Sequence, residues 1–357
     1  GTLYSVLPES GAGDFDVVRG SSATRVNKEG LIEDIATNIP RIDYTDGTPT
    51  LLLEPQSTNL ITYSEDFSNA SWLKSGASAT LTSEVSPSGN ANNVYNYVGN
   101  NSNVFTTTQA SGIEYTISCY AKSNGQGKDT FTLRLGNVKS AVFTTTSEWK
   151  RYSFTHTPTT TVFSISTNAL LDADILIWGA QIEALSHATS YISTSGAIAT
   201  RLADSVTGAG DTTTFNSTEG VLYAEIAALA NDGTNRAIAI SDGVLNSNAI
   251  RILYLNSNAV YFQKYVNGVR TTNLGTTSIT KTDFNKIAIR YNSTDVSVFV
   301  NGVNILNNAD TNIISPNTLN VLGFKNVTQG PFFGKVKSLI TFDTALTDAE
   351  LQTLTTI

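Results

Sequence analysis

Short stretches in which apolar and polar residues alternate recur along the whole chain, and no other feature restricts its fold as strongly. These stretches are rich in Val, Ile, Tyr, Phe and Thr, and clusters of Gly, Asn, Asp and Ser separate them. Alternation with a period of two indicates half-buried strands, and turn residues at this spacing are typical of sandwiches. The class predicted is all-β.

The alternation predicts strands most clearly over Ile113–Lys122, Phe131–Leu135, Tyr152–His156 and Ile175–Ile182. In the first of these strands the residues predicted to share one face are Ile113, Tyr115, Ile117 and Cys119. In the last, they are Leu176, Trp178, Ala180 and Ile182. Cys119 is the only cysteine, so an intrachain disulfide is excluded, and we expect a buried thiol that behaves as a small apolar residue.

Two hairpins are predicted by Asn-Gly pairs that lie between valines. Asn267-Gly268 lies between Val266 and Val269, and Asn301-Gly302 lies between Val300 and Val303. A type I′ turn needs positive φ at both central residues, which Asn and Gly tolerate best. Each pair should therefore join two neighbouring antiparallel strands.

The C-terminal segment predicts a strand followed by a short helix. Phe332, Val336, Ile340 and Phe342 share one parity and should form one apolar face. Thr347 and Glu350 have the spacing of a capping box, in which each side chain bonds the other residue's backbone N–H. Leu346 and Leu351 occupy the two positions of a hydrophobic staple around that cap.

A length of 357 residues predicts about two domains. We predict two tandem antiparallel β-sandwich (jelly-roll) domains over residues 58–195 and 219–357, an N-terminal leader over 1–57, a linker over 196–218 and one short C-terminal helix. The leader is apolar enough to dock on the first sandwich or on a neighbouring subunit. Because the chain contains no methionine and starts at Gly1, we expect a processed chain or an excerpt with something preceding it.

The charge of the chain limits its partners. The formal net charge is -8, and no run of Lys and Arg appears, so we expect no nucleic acid partner. No apolar run approaches the roughly 18 residues of a membrane span, so no membrane insertion is expected. No dense acidic loop of the calcium-binding type is present either, and we expect no metal and no cofactor.

The sequence offers little for catalysis, and we expect a protein that is not an enzyme. It contains no nucleophile elbow, Walker loop, intact dinucleotide fingerprint or zinc-protease motif. Only His156 and His187 are available as histidines. A glycosidase could use two carboxylates distant in sequence, and Asp172 with Asp174 is the obvious pair, but a turn or a weak cation site is favoured there.

Several segments resemble known families. EGVLYAEIAAL at 219–229, TDFNKIAIRY at 282–291 and GKVKSLITFDTALTDAEL at 334–351 resemble laminin-G-like, concanavalin-like jelly rolls, over essentially all of 219–357. IWGAQIEALSHATSYISTSG at 177–196 is similar to carbohydrate-binding-module-like jelly rolls of bacteriophage virion proteins. The leader, with LLLEPQSTNLITYSEDF at 51–67, resembles the segment that precedes that module in phage tail-fibre or head-fibre proteins.

The resemblance implies a virion protein, either a tail or head fibre or a capsid or tail decoration, located on the outer surface of the phage particle. It implies a homotrimer that contacts other virion proteins and adheres to a bacterial surface glycan or receptor. Two alternatives stay open. One is a purely architectural virion protein without a ligand, and the other is a polysaccharide depolymerase.

The glycan-binding candidates are aromatic residues, since an aromatic ring stacks on the C–H face of a sugar. Tyr95, Tyr97 and Phe105 flank the Asn-rich stretch 100–103 and are expected on a loop. Tyr261 and Tyr265 oppose the apolar parity of their strand, so they are either exposed or packed on the first domain or on a trimer mate. Trp178 and Trp149 are expected in the core, whereas Trp72 is kept as a further candidate.

Overall fold

A computed structural model describes residues 2–3, 15–107, 112–167, 172–255, 259–325 and 330–357. Its elements in the leader are β1 Thr2–Leu3, β2 Val17–Val18, β3 Ala23–Val26, β4 Ile32–Ile35, β5 Ile42–Asp43, β6 Thr50–Leu53 and β7 Ser57–Asn59. The next strands are β8 Leu73–Thr82, β9 Val94–Thr107, β10 Tyr115–Ser123, β11 Thr130–Leu135, β12 Val138–Lys139, β13 Phe143–Thr144, β14 Lys150–His156, β15 Val162–Ser166 and β16 Asp172–Glu183.

The remaining elements begin in the predicted linker with β17 Ala199–Arg201 and β18 Ser205–Val206. They continue with β19 Gly220–Ala228, β20 Arg236–Ser241, β21 Ala249–Tyr254, β22 Val260–Val266, β23 Val269–Thr276, β24 Asn285–Tyr291, β25 Asp295–Val300, β26 Val303–Ala309, β27 Val321–Gly323, β28 Gly334–Phe342 and the helix α1 Asp348–Thr355. The predicted all-β class with one short C-terminal helix is confirmed. Among the described residues, no helix is long and apolar enough to span a membrane.

The N-terminal sandwich, formed by β8 to β16, is one nine-stranded sheet that encloses a core. The strand order is β12-β11-β15-β9-β16-β10-β14, with β13 on β11 and β8 on β9. The long strand β9 pairs with β16 through its first half and with β15 through its second half. Side chains of β10 and β16 therefore pack against those of β11 and β15. One core cluster contains a residue from each of these strands: Ile117, Ile175, Phe131 and Phe163, in that order.

The C-terminal sandwich, formed mainly by β19 to β28, contains two sheets. One has the order β26-β25-β24-β19-β28-β6-β5, with β1 also on β28, and the other has the order β23-β22-β21-β20-β27. Their facing side chains, among them Leu222, Ile252 and Phe262, form the largest core cluster. Burying a side chain of this size contributes about 1.5–3 kcal/mol, so this cluster is the main source of stability.

The leader contacts both sandwiches. Its strands β5 and β6 extend a sheet of the C-terminal sandwich, and Phe15, Leu51 and Leu53 enter the core of that sandwich. Ile32 packs with Trp178 and Tyr191 of the N-terminal region. The leader thus docks on the first sandwich, as expected. Its strands also pair with a sheet of the second sandwich, which the sequence did not indicate. The predicted domain boundaries remain predictions.

Two bulges correct the predicted strand faces. In the pairing of β28 with β19, Glu225 lies opposite Ser338 and Ile226 lies opposite Val336. Lys337 therefore has no partner residue in β19 and forms a bulge. Val336 and Leu339 consequently face the inter-sheet core, while Ile340 and Phe342 pack on the other face beside α1. The prediction of a single apolar face over Phe332 to Phe342 is wrong, because one extra residue moves all later side chains to the opposite face.

The same effect separates the predicted face of β16. The register shifts between the pairs Ser118–Gln181 and Tyr120–Trp178, and Gly179 has φ of 63°. Ala180 and Ile182 therefore lie in the N-terminal core, whereas Leu176 and Trp178 lie in a separate cluster that meets the leader. The prediction that these four residues share a face is wrong.

One end of a predicted strand also differs. Ile113 precedes β10 and is 48% exposed, so it does not belong to the buried face. Tyr115, Ile117 and Cys119 are buried as predicted. Burial raises the pKa of the Cys119 thiol to about 12, which keeps it protonated and unreactive.

The local turn and cap predictions are confirmed. Val266 pairs with Val269 and Val300 pairs with Val303, and both residues of each Asn-Gly pair have positive φ. Thr347 is the N-cap of α1 in a complete capping box with Glu350. Leu346 and Leu351 join one apolar cluster on the outer face of the sheet, as the staple requires.

Candidate functional site

A cleft of about 900 Å³ opens where the leader, the N-terminal sandwich and the C-terminal sandwich meet. The hairpin β3–β4 and the turn after β5 form its leader side. Residues 148–151 and 188–191 form the side of the N-terminal sandwich, and Leu229 and Lys335 complete it from the C-terminal sandwich. The cleft exists only because the leader is docked against both.

Four aromatic side chains line the cleft. Tyr191 is buried, and its ring centroid lies 6.4 Å from that of Tyr120, edge to face. Trp149 and Tyr44 are each partly exposed. The Trp149 indole N–H donates to the carbonyl of Val85 at 2.9 Å, which fixes the ring at the edge of the cleft. The Lys122 ammonium lies 5.4 Å from the Trp149 ring centroid, and the part of each ring that stays exposed, on Trp149 and on Tyr44, is accessible from the cleft.

Charged groups accompany these rings. The Arg151 guanidinium lies over the Tyr120 ring, 5.4 Å from its centroid, and donates to Ser118 Oγ at 3.0 Å and to the Thr189 carbonyl. Four basic and four acidic side chains line the cleft altogether. The cleft is therefore balanced in formal charge, and its aromatic and other apolar surfaces lie between fixed hydrogen-bonding groups.

A buried ionic cluster, which we call the junction cluster, supports the floor of the cleft. Its members are Arg19, Arg41, Glu54, Arg201 and Asp204. Arg41 donates to Glu54 Oε2 at 2.6 Å and also pairs with Asp204, whose other oxygen accepts from Arg19 at 3.0 Å. Arg201 Nη1 lies 3.5 Å from Glu54 Oε2. All five side chains are at most 3% exposed, and they come from the leader and from the predicted linker.

Glu54 connects the junction cluster with the cleft that it lines. Its carboxylate accepts from the backbone N–H and from the hydroxyl of Ser190, both at 2.7 Å. Burial opposes ionisation of this carboxyl, but Arg201, Arg41 and these hydrogen bonds outweigh burial, so the pKa of Glu54 lies below its ordinary value. The carboxylate is thus ionised at neutral pH and holds the 188–191 loop against the leader.

The structure places three of the predicted glycan-binding residues, Tyr95, Tyr97 and Trp72, in the N-terminal core. Tyr95 and Tyr97 are 4% and 0% exposed, and their hydroxyls bond Asp66 and Ser102. Trp72 is 3% exposed and donates to the Tyr63 carbonyl at 2.8 Å. Phe105 is partly buried and pairs in register with Leu73 and Ser164. The expected loop is wrong, because β9 continues through residues 100–103.

The second pair, Tyr261 and Tyr265, lies on the face of β22 that points away from the inter-sheet core. Val260, Phe262 and Val266 face that core, so the opposed parity is confirmed. Tyr265 is 7% exposed, and Arg251 donates to its hydroxyl at 2.8 Å with the guanidinium 4.5 Å from the ring centroid. Tyr261 is partly exposed and leans on Gly275. Of this pair, Tyr261 offers the more accessible ring.

None of the four candidate catalytic groups, Asp172, Asp174, His156 and His187, lines the cleft. Asp172 pairs with Lys128 at 2.9 Å, and Asp174 accepts from the Asn124 amide at 2.8 Å, both away from the cleft. The His156 ring stacks on Phe154, whereas His187 lies in the loop next to the cleft. Within the described ranges, no three His, Cys, Asp or Glu side chains are grouped to hold a metal ion.

Trp149 and the leader residues of the cleft were not recognised as site residues. Trp178 is fully buried as predicted, whereas Trp149 is only partly buried: it packs against the cluster around Trp178 and also lines the cleft. The missed signal lies in the leader, which carries Arg19, Arg25 and Arg41 among apolar residues. Buried arginines need carboxylate partners, so this pattern indicates a docked surface, although it does not say which carboxylates meet it.

Residues 202–352 match the family described as the concanavalin A-like lectin/glucanases superfamily. This match confirms the predicted resemblance of the C-terminal region. Comparison with curated proteins gives no match.

Part of this chain is similar to solved structures that include the CBM40 of Ruminococcus gnavus IT-sialidase. It has 15% identity and a TM-score of 0.34, over 40% of this chain and 84% of that chain. The SAP-like pentraxin from Limulus polyphemus has 13% identity and a TM-score of 0.32, over 39% and 70%. The binding domain of Paraclostridial Mosquitocidal Protein 1 has 13% identity and a TM-score of 0.33, over 43% of each chain.

Proposed function

We propose that this chain is a glycan-binding adhesion protein without catalytic activity, and that the cleft binds the sugar. The observation that carries the proposal is the pair of partly exposed rings, Trp149 and Tyr44, next to fixed polar groups in a cleft of about 900 Å³. Sugars present apolar C–H faces edged by hydroxyls, so a site for them needs aromatic surfaces and convergent hydrogen-bonding groups together. The cleft offers both.

The biological setting belongs to the same proposal. The segments that resemble phage fibre proteins support a virion appendage, either a fibre or a decoration protein, that adheres to a bacterial surface. The family match over residues 202–352 supports a sugar ligand, since its description includes lectins. We propose a homotrimer on the particle surface, because several weak sites that bind one cell surface together reach a much higher avidity than one site.

Binding to an array of bacterial surface glycans tests the proposal, with Trp149→Ala and Tyr261→Ala as the paired variants. Both rings are partly exposed, but only Trp149 lines the cleft. Trp149→Ala should lower affinity at least about fivefold, since truncating an aromatic anchor in a binding site costs more than about 1 kcal/mol. Tyr261→Ala should bind as the wild type does.

Three outcomes contradict the proposal in different ways. If Tyr261→Ala loses binding and Trp149→Ala does not, the glycan binds at the outer face of β22 and not in the cleft. A silent array with normal incorporation into virions favours an architectural protein. Release of reducing ends from a bound polysaccharide reveals an enzyme. Trp149→Phe serves as the control for folding, because it keeps an aromatic face and loses only the hydrogen bond to Val85.

A further inference from the structure

A second compartment of about 530 Å³ adjoins the cleft. Ala188, Leu229 and Lys335 line both spaces, so the two share one boundary. The second compartment lies between the two sandwiches, with His187 on one side and residues 282–284 on the other. We call the cleft and this second compartment together the groove.

Each part of the groove alone is as large as a site for a compact ligand, which needs about 300–1,000 Å³. Their common boundary is formed partly by Lys335, whose ammonium pairs with Asp46 of the leader turn. Both side chains of this pair stay partly exposed, 23% and 44%. A ligand that crosses from one compartment to the other therefore meets charged, hydrogen-bonding groups at the crossing.

The second compartment has its own means of binding a sugar. Phe284 is partly exposed and lines it, with the Lys337 ammonium 4.0 Å from the ring centroid. His187 Nε2 is buried and has no hydrogen-bond partner among the described residues, while Nδ1 lies 3.4 Å from Ser186 Oγ. Burial also lowers the pKa of His187 and keeps the ring neutral, so its free nitrogen suits a hydroxyl group.

We propose that the groove binds an extended, neutral polysaccharide chain, which runs from Trp149 past the Lys335–Asp46 pair to Phe284 and His187. This inference rests on the proposed function and specifies its ligand. Each sugar of a linked chain presents a C–H face edged by hydroxyl groups. Each compartment presents the complementary surface, which is an aromatic ring next to hydrogen-bonding groups. Neutrality follows from the balanced charges of the cleft and from the net charge of -8, which repels an acidic polymer.

Calorimetry with fragments of the glycan that gives the strongest array signal, cut to lengths of one to eight sugars, tests the inference. For the wild type, affinity should rise at least about tenfold between two and six sugars, as contacts in the second compartment are added. Phe284→Ala and His187→Ala should reduce the affinity for six sugars toward that for two, and leave the two-sugar affinity unchanged. Binding should be insensitive to salt, because a neutral ligand releases no counterions.

The result that overturns this inference alone is an affinity independent of length beyond two sugars. In that case the cleft binds a chain end, and the proposed function stands. Equal loss for short and long fragments in Phe284→Ala also contradicts it, provided that this variant retains the wild-type melting temperature; if it does not, His187→Ala decides by the same comparison. Strong salt dependence indicates an acidic ligand and overturns the neutral class, and a silent array overturns both proposals.

Discussion

The core of the C-terminal sandwich consists of apolar side chains on neighbouring strands, whereas the junction cluster consists of charged side chains from segments far apart in sequence. In the core, Ile252 and Phe262 are cross-strand partners that belong to consecutive strands. In the junction cluster, Arg41 and Asp204 are separated by 163 positions. The core is therefore specified by local alternation, and the junction by the pairing of particular charges.

This difference has an energetic consequence. Apolar packing loses stability in proportion to the atoms removed, so single changes in the core are graded. A buried ion pair behaves otherwise, because removal of one partner leaves the other charge buried and uncompensated. The junction cluster, and with it the cleft above, should thus be more sensitive to one conservative substitution than most of the molecule.

Glu54→Gln gives the largest expected effect of the changes considered. The substitution keeps the shape of the side chain but leaves Arg41 and Arg201 without this carboxylate in a buried site. We expect a loss of about 3–5 kcal/mol in the free energy of unfolding, the usual range for a broken buried pair. Urea denaturation followed by tryptophan fluorescence measures it.

Glu33→Gln is the matched control for that experiment. Glu33 pairs with Arg25 at 2.7 Å, but about a third of its side chain is exposed, 35%, so solvent screens the pair. The same chemical change should cost about 0–1 kcal/mol there. If the two variants lose equal stability, the junction cluster does not hold the leader in place.

Acid should weaken the junction through Glu54. Its pKa in the fold lies below the ordinary value of 4.5, so the unfolded chain binds more protons as the pH falls past that value. The stability that Glu54 contributes is therefore complete above this pH and declines below it. The difference in unfolding free energy between wild type and Glu54→Gln should shrink from neutral pH to about pH 3.

Asp310→Asn separates this response from that of the C-terminal sandwich. Burial opposes ionisation of Asp310, but hydrogen bonds from Thr272, Thr271 and Asn312 lower its pKa to about 2. In Asp310→Asn, the part of the unfolding free energy that Asp310 loses in acid should disappear. The part that Glu54 loses in acid should remain. If the difference in unfolding free energy between the wild type and Glu54→Gln stays constant over the same pH range, Glu54 is not the source of the acid sensitivity of the junction.

The limits of sequence reasoning follow the same division. The Asn267-Gly268 turn and the Thr347 cap were predictable, because neighbouring residues alone determine both. The bulges at Gly179 and Lys337 were not, since a bulge is defined by the partner strand as well as by its own sequence.

The candidate site was missed for two related reasons. The asparagines at 100–103 have the composition of a loop, yet β9 continues through them with Asn101 at φ of 46°, so Tyr95 and Tyr97 stay in a buried strand. The cleft itself requires the leader to meet both sandwiches, and charges so distant in sequence do not reveal their pairing. The strand position of Trp149 predicted its packing on a core cluster, but did not reveal that the ring also lines the cleft.

Effects smaller than at Glu54 are expected at the two Asn-Gly turns, where a comparison of Gly268→Ala with Gly302→Ala separates backbone strain from a side-chain contact. Both glycines have positive φ, and an L-residue there costs about 1–2 kcal/mol. No described atom lies within 4 Å of the Cβ position at Gly268, but Thr356 Oγ1 lies 3.1 Å from that at Gly302. Gly302→Ala should therefore lose more stability in urea denaturation, since the Thr356 side chain must also move by a few tenths of an ångström. Equal losses would mean that this contact relaxes freely, and a loss of glycan affinity in either variant would contradict a site at the junction.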